Sequence, residues 1–151
     1  MNSKRALILF CVTGCGTGYL PASGTCATLF VGLPLAYYLS SKIALSVVSS
    51  LMFALTSTSV ALLLIHYAVP LFTNSSDPEE IVIDEIVGFL WACVGLQYEP
   101  YRFAIAFLLF RFFDVSKWGP VGYMERLPGA WGILGDDIVA GLITRCIICL
   151  I

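Results

Sequence analysis

Long apolar segments alternate with short polar connections along this chain. No Asp, Glu, Lys or Arg occurs from Ala6 to Ser41, and none occurs from Ile43 to Ser76, a run that contains His66. Both runs exceed the roughly 20 residues that an α-helix needs to cross a bilayer core. The pattern therefore predicts an all-α fold, a polytopic membrane helix bundle in which residues 1–151 form one integral membrane domain.

The polar connections divide the chain into about five spanning or re-entrant helices. An apolar stretch at residues 6–20 comes first and ends in a glycine loop. Ser76 or Asp77 is expected to cap the third span. The loop at residues 118–135 is rich in Gly, Pro and Trp. The first predicted span is Cys26–Leu39, and the second runs from Ile43 to Tyr67 or Phe72. The third follows the polar loop at residues 74–80 and ends at about Gln97. The fourth is Phe103–Lys117, and the fifth runs from Asp136 or Asp137 to Ile151.

Composition narrows the class of protein further. Hydrophobic residues make up 59% of the chain, which is more than an ordinary soluble domain contains. The net charge is only −2 and no basic stripe is present, so nucleic acid is not an expected partner. A membrane protein with a few functional charges fits these observations.

Adjacent carboxylates inside apolar segments are the main candidates for chemistry. Asp84 and Glu85 lie within one apolar segment, and Asp136 and Asp137 are expected to open the last helix. Ionised groups in such segments are costly, and they usually mark a functional site. The chain therefore offers two paired-acid motifs on different helices.

A third charged motif lies near the end of the fourth predicted span. Arg111, Asp114 and Lys117 are spaced i, i+3, i+6, so they share one side of a helix. A structural Arg–Asp pair is the alternative interpretation, although it would not need Lys117. We expect the three motifs to meet at one site.

Alternating spans place all these motifs on one side of the membrane. With the N-terminus in the cytoplasm, the glycine loop and the three charged motifs lie on the cytoplasmic face. The distribution of basic residues agrees with this orientation. On the cytoplasmic side the basic residues would be Lys4, Arg5, Lys117 and Arg126. On the opposite side they would be Lys42 and Arg102.

The side chains of this set suit one kind of reaction. Carboxylates without histidine or cysteine partners suit a hard cation with oxygen ligands, most simply Mg²⁺. Arginine and lysine suit a phosphate, and a glycine loop can add backbone N–H donors. The set predicts phosphoryl transfer to water or to an alcohol.

Other phosphatase mechanisms lack their residues here. A histidine-nucleophile lipid phosphatase needs two histidines, and the chain has one. The loop of a cysteine phosphatase is missing, since no cysteine lies six positions before an arginine. An aspartyl-phosphate mechanism would need Asp-x-Asp, which does not occur. Metal-activated water is therefore the favoured nucleophile.

Four motifs occur in order along nearly the whole chain. They are Gly-x-Gly-x-x-Pro with Gly-Thr between Gly16 and Thr25, Ile-Asp-Glu-Ile-Val-Gly at 83–88, Phe-Arg-x-Phe-Asp-x-x-Lys at 110–117, and Gly-Ile-Leu-Gly-Asp-Asp-Ile-x-Ala-Gly at 132–141. Together they resemble the motifs of the phosphatidylglycerophosphatase A family. The family usually has Pro at the position of Ser23, Gly-Ser at those of Ala27 and Thr28, and Pro at that of Trp118.

The resemblance implies a Mg²⁺-dependent, multi-pass enzyme of the bacterial inner membrane with its active site facing the cytoplasm. Such an enzyme removes the terminal phosphate of phosphatidylglycerophosphate, a phospholipid substrate, to give phosphatidylglycerol and inorganic phosphate. The oligomeric state stays open. The expected catalytic and metal-binding residues are Asp84, Glu85, Asp114, Asp136 and Asp137. The expected phosphate-binding residues are Arg111, Lys117, Thr25 and Gly24.

Two alternatives use similar residues. An ion- or proton-coupled transporter could employ the same intramembrane acids, but the internal repeats that many transporters carry are absent from the sequence. A phospholipid synthase of the CDP-alcohol type would carry a long Asp-rich signature on one helix, which the sequence lacks.

Overall fold

The computed structural model describes residues 3–43, 46–72 and 78–151, and within these ranges it contains helices and no strand. The all-α class is thereby confirmed. The predicted cap at Ser76 or Asp77 lies outside the described residues. The α-helices are α1 (Ser3–Val12), α2 (Ser23–Ala27), α3 (Leu33–Tyr38), α4 (Val47–Ala68), α5 (Ile83–Ala92), α6 (Pro100–Ser116), α7 (Pro120–Met124) and α8 (Ala130–Ile148).

Shorter helical turns extend several of these elements. Wider π-helical turns at Thr28–Gly32 and Leu39–Ile43 keep the backbone helical from Ser23 to Ile43, past the predicted end at Leu39. A 3₁₀ turn at Val69–Leu71 lengthens α4, and another occurs at Thr17–Tyr19.

Within the described ranges, one helix is long and apolar enough to cross a membrane. It comprises α4 and its 3₁₀ extension, Val47–Leu71, 25 residues in all. Large apolar side chains on it, such as Val48 and Leu63, are exposed at the protein surface. Apolar surface of this kind suits contact with lipid. The arrangement of about five spans stays a prediction.

The centre of the fold is the close pairing of α5 with α8. A Cβ atom added at Gly141 on α8 would lie 2.1 Å from the carbonyl oxygen of Gly88 on α5, so only glycine permits this approach. Small residues at helix contacts are the usual means of close packing in membrane proteins. The pairing brings the acids of α5 and α8 side by side.

Apolar side chains pack on both sides of this central pair. Phe89, Phe103 and Phe110 are fully buried in a cluster that joins α5, α6 and α8. A second cluster, which includes Ile65 and Leu134, joins α4 to α8. Together the two clusters fix the rotation of α5 and α8 about their axes.

The predicted start of the last helix is wrong. Asp136 and Asp137 do not open α8, because the helix begins at Ala130 after Gly129, whose φ of 63° ends the preceding turn. The predicted loop at 118–135 contains α7 and the first turn of α8. The acids consequently lie more than one helical turn inside α8, where they are too far along to act as caps.

The predicted limits of the α5 helix are also wrong. The segment Pro78–Val82 is not helical, since the backbone N–H of Val82 donates to the carbonyl of Val12 at 2.9 Å. The helix ends at Ala92 rather than near Gln97. Asp84 and Glu85 therefore stand in the first turn of α5, at the edge of the fold where the glycine loop lies.

Candidate functional site

Five segments of the chain meet at one end of the helix bundle and enclose a cavity of about 510 Å³. They are the glycine loop, the segment Pro78–Val82, the start of α5, the end of α6 and the first half of α8. All five predicted acids line this cavity: Asp84, Glu85, Asp114, Asp136 and Asp137. The predicted convergence of the motifs is confirmed.

Three of the acids form a compact carboxylate triad, composed of Asp84, Glu85 and Asp137. One oxygen from each lies within 4.8 Å of the others. Asp84 Oδ1, Glu85 Oε2 and Asp137 Oδ1 are buried and have no hydrogen-bond partner among the described residues. A buried ionised carboxylate that lacks a partner is costly, so such a group is either protonated or compensated by a cation.

The triad fits a small divalent cation. Oxygen ligands of Mg²⁺ stand at 2.0–2.1 Å from the ion, so two of them are at most about 4.2 Å apart. The three triad oxygens all lie within 4.8 Å of one another, so small side-chain rotations would bring them to one ion. Asp84, Glu85 and Asp137 are the residues that could hold the ion.

The other two acids are bound by the cations of α6. Asp114 accepts hydrogen bonds from Arg111 and, at 3.3 Å, from Lys117 Nζ. Lys117 also donates to Asp136. The Arg–Asp pair considered from the sequence is thus present, but Lys117 joins it and links α6 to α8.

The charge of Lys117 is maintained by its surroundings. Burial acts to lower the pKa of Lys117, but the hydrogen bond and negative charge of Asp136 outweigh it, with Asp114 adding to the effect. The pKa is consequently raised above its usual range. Lys117 therefore stays protonated and could contact an anionic group in the cavity.

Gly24 is packed against the charged residues, and a larger residue there would displace their side chains. A Cβ atom at this position would lie 1.9 Å from Glu85 Oε1 and 3.2 Å from Arg111 Nη1. Thr25, the next residue, is half-buried on α2 and is not among the residues that line the cavity. Phosphate binding by Arg111, Lys117, Gly24 and Thr25 stays a prediction.

Charge is unbalanced across the site as a whole. Seven carboxylates line the cavity, whereas the basic side chains at the site are Arg111 and Lys117, and both form salt bridges with acids outside the triad. The triad is thus left with three carboxylates and no basic partner among the described residues. A bound cation would correct this imbalance.

Sequence reasoning overlooked part of the cavity wall. Glu79 and Glu80 line it, although acids at the start of a predicted helix are ordinarily explained by a favourable effect on the helix dipole. Ser23 Oγ donates to the carbonyl of Glu79 at 2.9 Å and so ties the glycine loop to this segment. Glu79 and Glu80 lie close to the Asp84–Glu85 pair in the sequence, and this proximity could have indicated that they line the same cavity.

Comparison with known proteins gives a consistent assignment. A family model described as phosphatidylglycerophosphatase A matches residues 10–151. A protein of Bacteroides thetaiotaomicron named "Putative phosphatidylinositol-3-phosphatase" is 33% identical over 145 residues, which cover 86% of this chain and 84% of the relative.

Two further relatives carry the family's own name. The phosphatidylglycerophosphatase A of Haemophilus influenzae is 37% identical over 68 residues, covering 44% of this chain and 42% of the relative. That of Escherichia coli is 35% identical over 74 residues, covering 48% of this chain and 43% of the relative. Both matches thus span less than half of either protein. No solved structure matches the chain.

The helical fold, the acid-lined cavity and these relatives define a class: the protein is an enzyme, a phospholipid phosphatase. More particularly, the chain belongs to the phosphatidylglycerophosphatase A family, since the family model covers nearly all of it. The family and enzyme class expected from the four motifs are confirmed.

Proposed function

We propose that this enzyme hydrolyses the terminal phosphomonoester of phosphatidylglycerophosphate, with Mg²⁺ as its cofactor, to give phosphatidylglycerol and inorganic phosphate. The observation that carries the proposal is the carboxylate triad, whose buried oxygens lack hydrogen-bond partners among the described residues and which shares its cavity with Lys117. Membership of the phosphatidylglycerophosphatase A family supports the choice of substrate.

Different residues of the site have different roles in such a reaction. Asp84, Glu85 and Asp137 hold the ion between α5 and α8. When bound, Mg²⁺ supplies Lewis-acid polarisation of the phosphate oxygens and activation of the attacking water. Arg111 and Lys117 stabilise the negative charge that develops on the phosphate, because preorganised cations need no rearrangement during the reaction.

Asp114 and Asp136 have a positioning role in this proposal. Each accepts a hydrogen bond from Lys117, and Asp114 also accepts one from Arg111. Holding two long basic side chains in one geometry reduces the conformational entropy lost when substrate binds.

The proposed location is the bacterial inner membrane, with several spans and the site on the cytoplasmic face. The apolar helix Val47–Leu71 supports membrane insertion. Convergence of all motifs at one end of the bundle supports a single accessible face, and the basic residues Lys4, Arg5, Lys117 and Arg126 favour the cytoplasm.

A phosphoinositide is a second candidate substrate. The relative that covers most of this chain carries a phosphatidylinositol-3-phosphatase name, whereas those named for phosphatidylglycerophosphate match less than half of it. Both lipids present a phosphomonoester on a polar head group, so the same triad could serve either. We favour phosphatidylglycerophosphate because the family model covers residues 10–151.

The decisive experiment measures phosphate release by purified enzyme in a neutral detergent. Phosphatidylglycerophosphate and phosphatidylinositol 3-phosphate are compared at equal mole fraction with Mg²⁺ present. We expect release from the first at a much higher kcat/KM. Preferential release from the second would reassign the substrate, and release from neither would refute the proposal.

Matched substitutions test the assignment of the triad. Asp137→Asn should abolish turnover and remove the rise in melting temperature that Mg²⁺ causes by binding the folded state. Asp136→Asn should lower turnover yet keep that rise, because the Asp136 side chain pairs with Lys117 and its carboxylate is not one of the three that form the triad. Glu99→Gln is the control, since Glu99 pairs with Arg102 at the far end of α6 and should change neither quantity. A Mg²⁺-dependent shift that survives in Asp137→Asn would contradict the triad.

A further inference from the structure

Exposed aromatic side chains cluster on the segment that follows α6 and runs past the site. Trp118, Tyr123 and Trp131 are 61–70% exposed, and Leu127 is 42% exposed. Tryptophan and tyrosine in a membrane protein concentrate at the level of the lipid head groups, where one part of the ring is apolar and another is polar. The segment 118–131 is therefore suited to the depth at which phospholipid phosphates lie.

A basic pocket of about 260 Å³ opens within this segment. Lys117, Gly119, Gly122, Tyr123 and Arg126 line it. Lys117 also lines the acidic cavity, so one side chain borders both spaces. The pocket thus lies beside the candidate catalytic site, and no acid of the described part of the chain lines it.

Arg126 differs from the basic residues of the catalytic cavity. Arg111 and Lys117 contact carboxylates, whereas the guanidinium of Arg126 has no ion pair with any described residue and lies over the Tyr123 ring at 5.4 Å from its centroid. Arg126 is exposed, so its five N–H donors can be used by a ligand. The cation–π contact with Tyr123 favours this orientation of the guanidinium.

The chemistry of the substrate supplies an anion for this pocket. Phosphatidylglycerophosphate carries two phosphates joined by one glycerol, the monoester that is removed and the diester that stays in the lipid. A monoester at the triad places the diester a few bonds away, toward the head-group level. An arginine with free donors is well suited to bind it.

We propose that Arg126, with Tyr123 and Lys117, forms a subsite for the phosphodiester of the lipid substrate. This inference rests on the proposed function. The subsite would select lipids that carry a phosphodiester next to the cleaved monoester. It would bind the product phosphatidylglycerol as well, since the product keeps the diester.

The test uses Arg126→Gln in a neutral detergent without other anionic lipid. We expect KM for phosphatidylglycerophosphate to rise about 10-fold with kcat unchanged, the loss of one charge-assisted hydrogen bond. Binding of short-chain phosphatidylglycerol, measured without turnover, should weaken to the same degree. Inhibition by inorganic phosphate, which reports on the monoester position, should not change. Arg126→Lys should recover part of the loss.

Arg102→Gln is the matched control. Arg102 also lies over a tyrosine ring, at 5.9 Å from the centroid of Tyr101, but it stands at the far end of α6. An equal rise in KM for both variants would indicate general attraction of anions and would overturn the subsite.

Three other results would also refute the inference. They are an unchanged KM in Arg126→Gln, an equal change in inhibition by inorganic phosphate, and an effect that appears only after phosphatidylserine is added, which would assign the pocket to a neighbouring lipid. If the wild-type enzyme releases no phosphate from phosphatidylglycerophosphate, the proposed function fails. Phosphatidylglycerol binding would then still report on Arg126.

Discussion

Replacing Gly141 by alanine should damage the site more than it damages the fold. The added Cβ would lie 2.1 Å from the carbonyl oxygen of Gly88 and 3.0 Å from Cβ of Trp91. Ordinary contacts begin near 3.4 Å, so the difference between 3.4 and 2.1 Å requires α5 and α8 to separate by about 1.3 Å. Neither clashing atom is the end of a flexible side chain, and local adjustment cannot relieve the contact.

The expected loss of stability is modest because two effects oppose each other. Overpacking typically costs about 1–3 kcal/mol. Alanine is favoured over glycine inside a helix by about 1 kcal/mol. The net change in the free energy of unfolding is therefore about 0–2 kcal/mol, so the variant should still fold.

The expected loss of activity is larger. Asp137 lies one turn before Gly141 on α8, and its triad partners Asp84 and Glu85 stand on α5. An opening of about 1.3 Å is more than half the length of a Mg²⁺–oxygen bond, which is 2.0–2.1 Å. A displacement of about 1 Å at a catalytic site can cost on the order of 100-fold in rate. We expect a fall of that size.

Two assays on the same detergent-purified samples measure these effects. Thermal melting followed by tryptophan fluorescence, with and without Mg²⁺, gives stability and ion binding, and phosphate release gives turnover. Gly135→Ala is the control in the same helix, because its Cβ would meet only the flexible end of Met124 at 3.0 Å. It should melt at the same temperature as the wild type or slightly above. Full turnover and an intact Mg²⁺ shift in Gly141→Ala would refute the described contact between α5 and α8.

Two further predictions concern the phosphate-binding cations and the choice of metal. Arg111→Lys should lower kcat/KM by about 10–1,000-fold, since lysine cannot make the bidentate contact of a guanidinium. A near-normal rate in the phosphate-release assay would show that the Arg111–Asp114 pair has only a structural role. EDTA should abolish activity and Mg²⁺ should restore it, whereas Ca²⁺ should restore little because it prefers more ligands at 2.3–2.6 Å; full activity in EDTA would rule out the metal site.

The sequence was sufficient to predict the helical class and the meeting of the charged motifs. Carboxylates are so costly in an apolar segment that the pairs Asp84–Glu85 and Asp136–Asp137 stand out without any structure. The start of α8 could not be predicted in the same way. Gly132 suggested a loop because glycine weakens a helix in water. In the fold a Cβ at Gly132 would lie 2.1 Å from the carbonyl oxygen of Leu127, so glycine is there to allow close packing.

The division of labour between Asp136 and Asp137 shows most clearly what depends on the structure. As neighbours in the sequence they suggest a joint role, but successive residues on an α-helix point about 100° apart. The rotation of α8, fixed by its contacts with α5, directs Asp137 to the triad and Asp136 to Lys117. The backbone N–H of Asp137 donates to Asp136 Oδ1 at 2.9 Å, which couples the two positions. A pair of acids that looks redundant can therefore serve two functions, one carboxylate for the ion and one for the lysine that would face the phosphate.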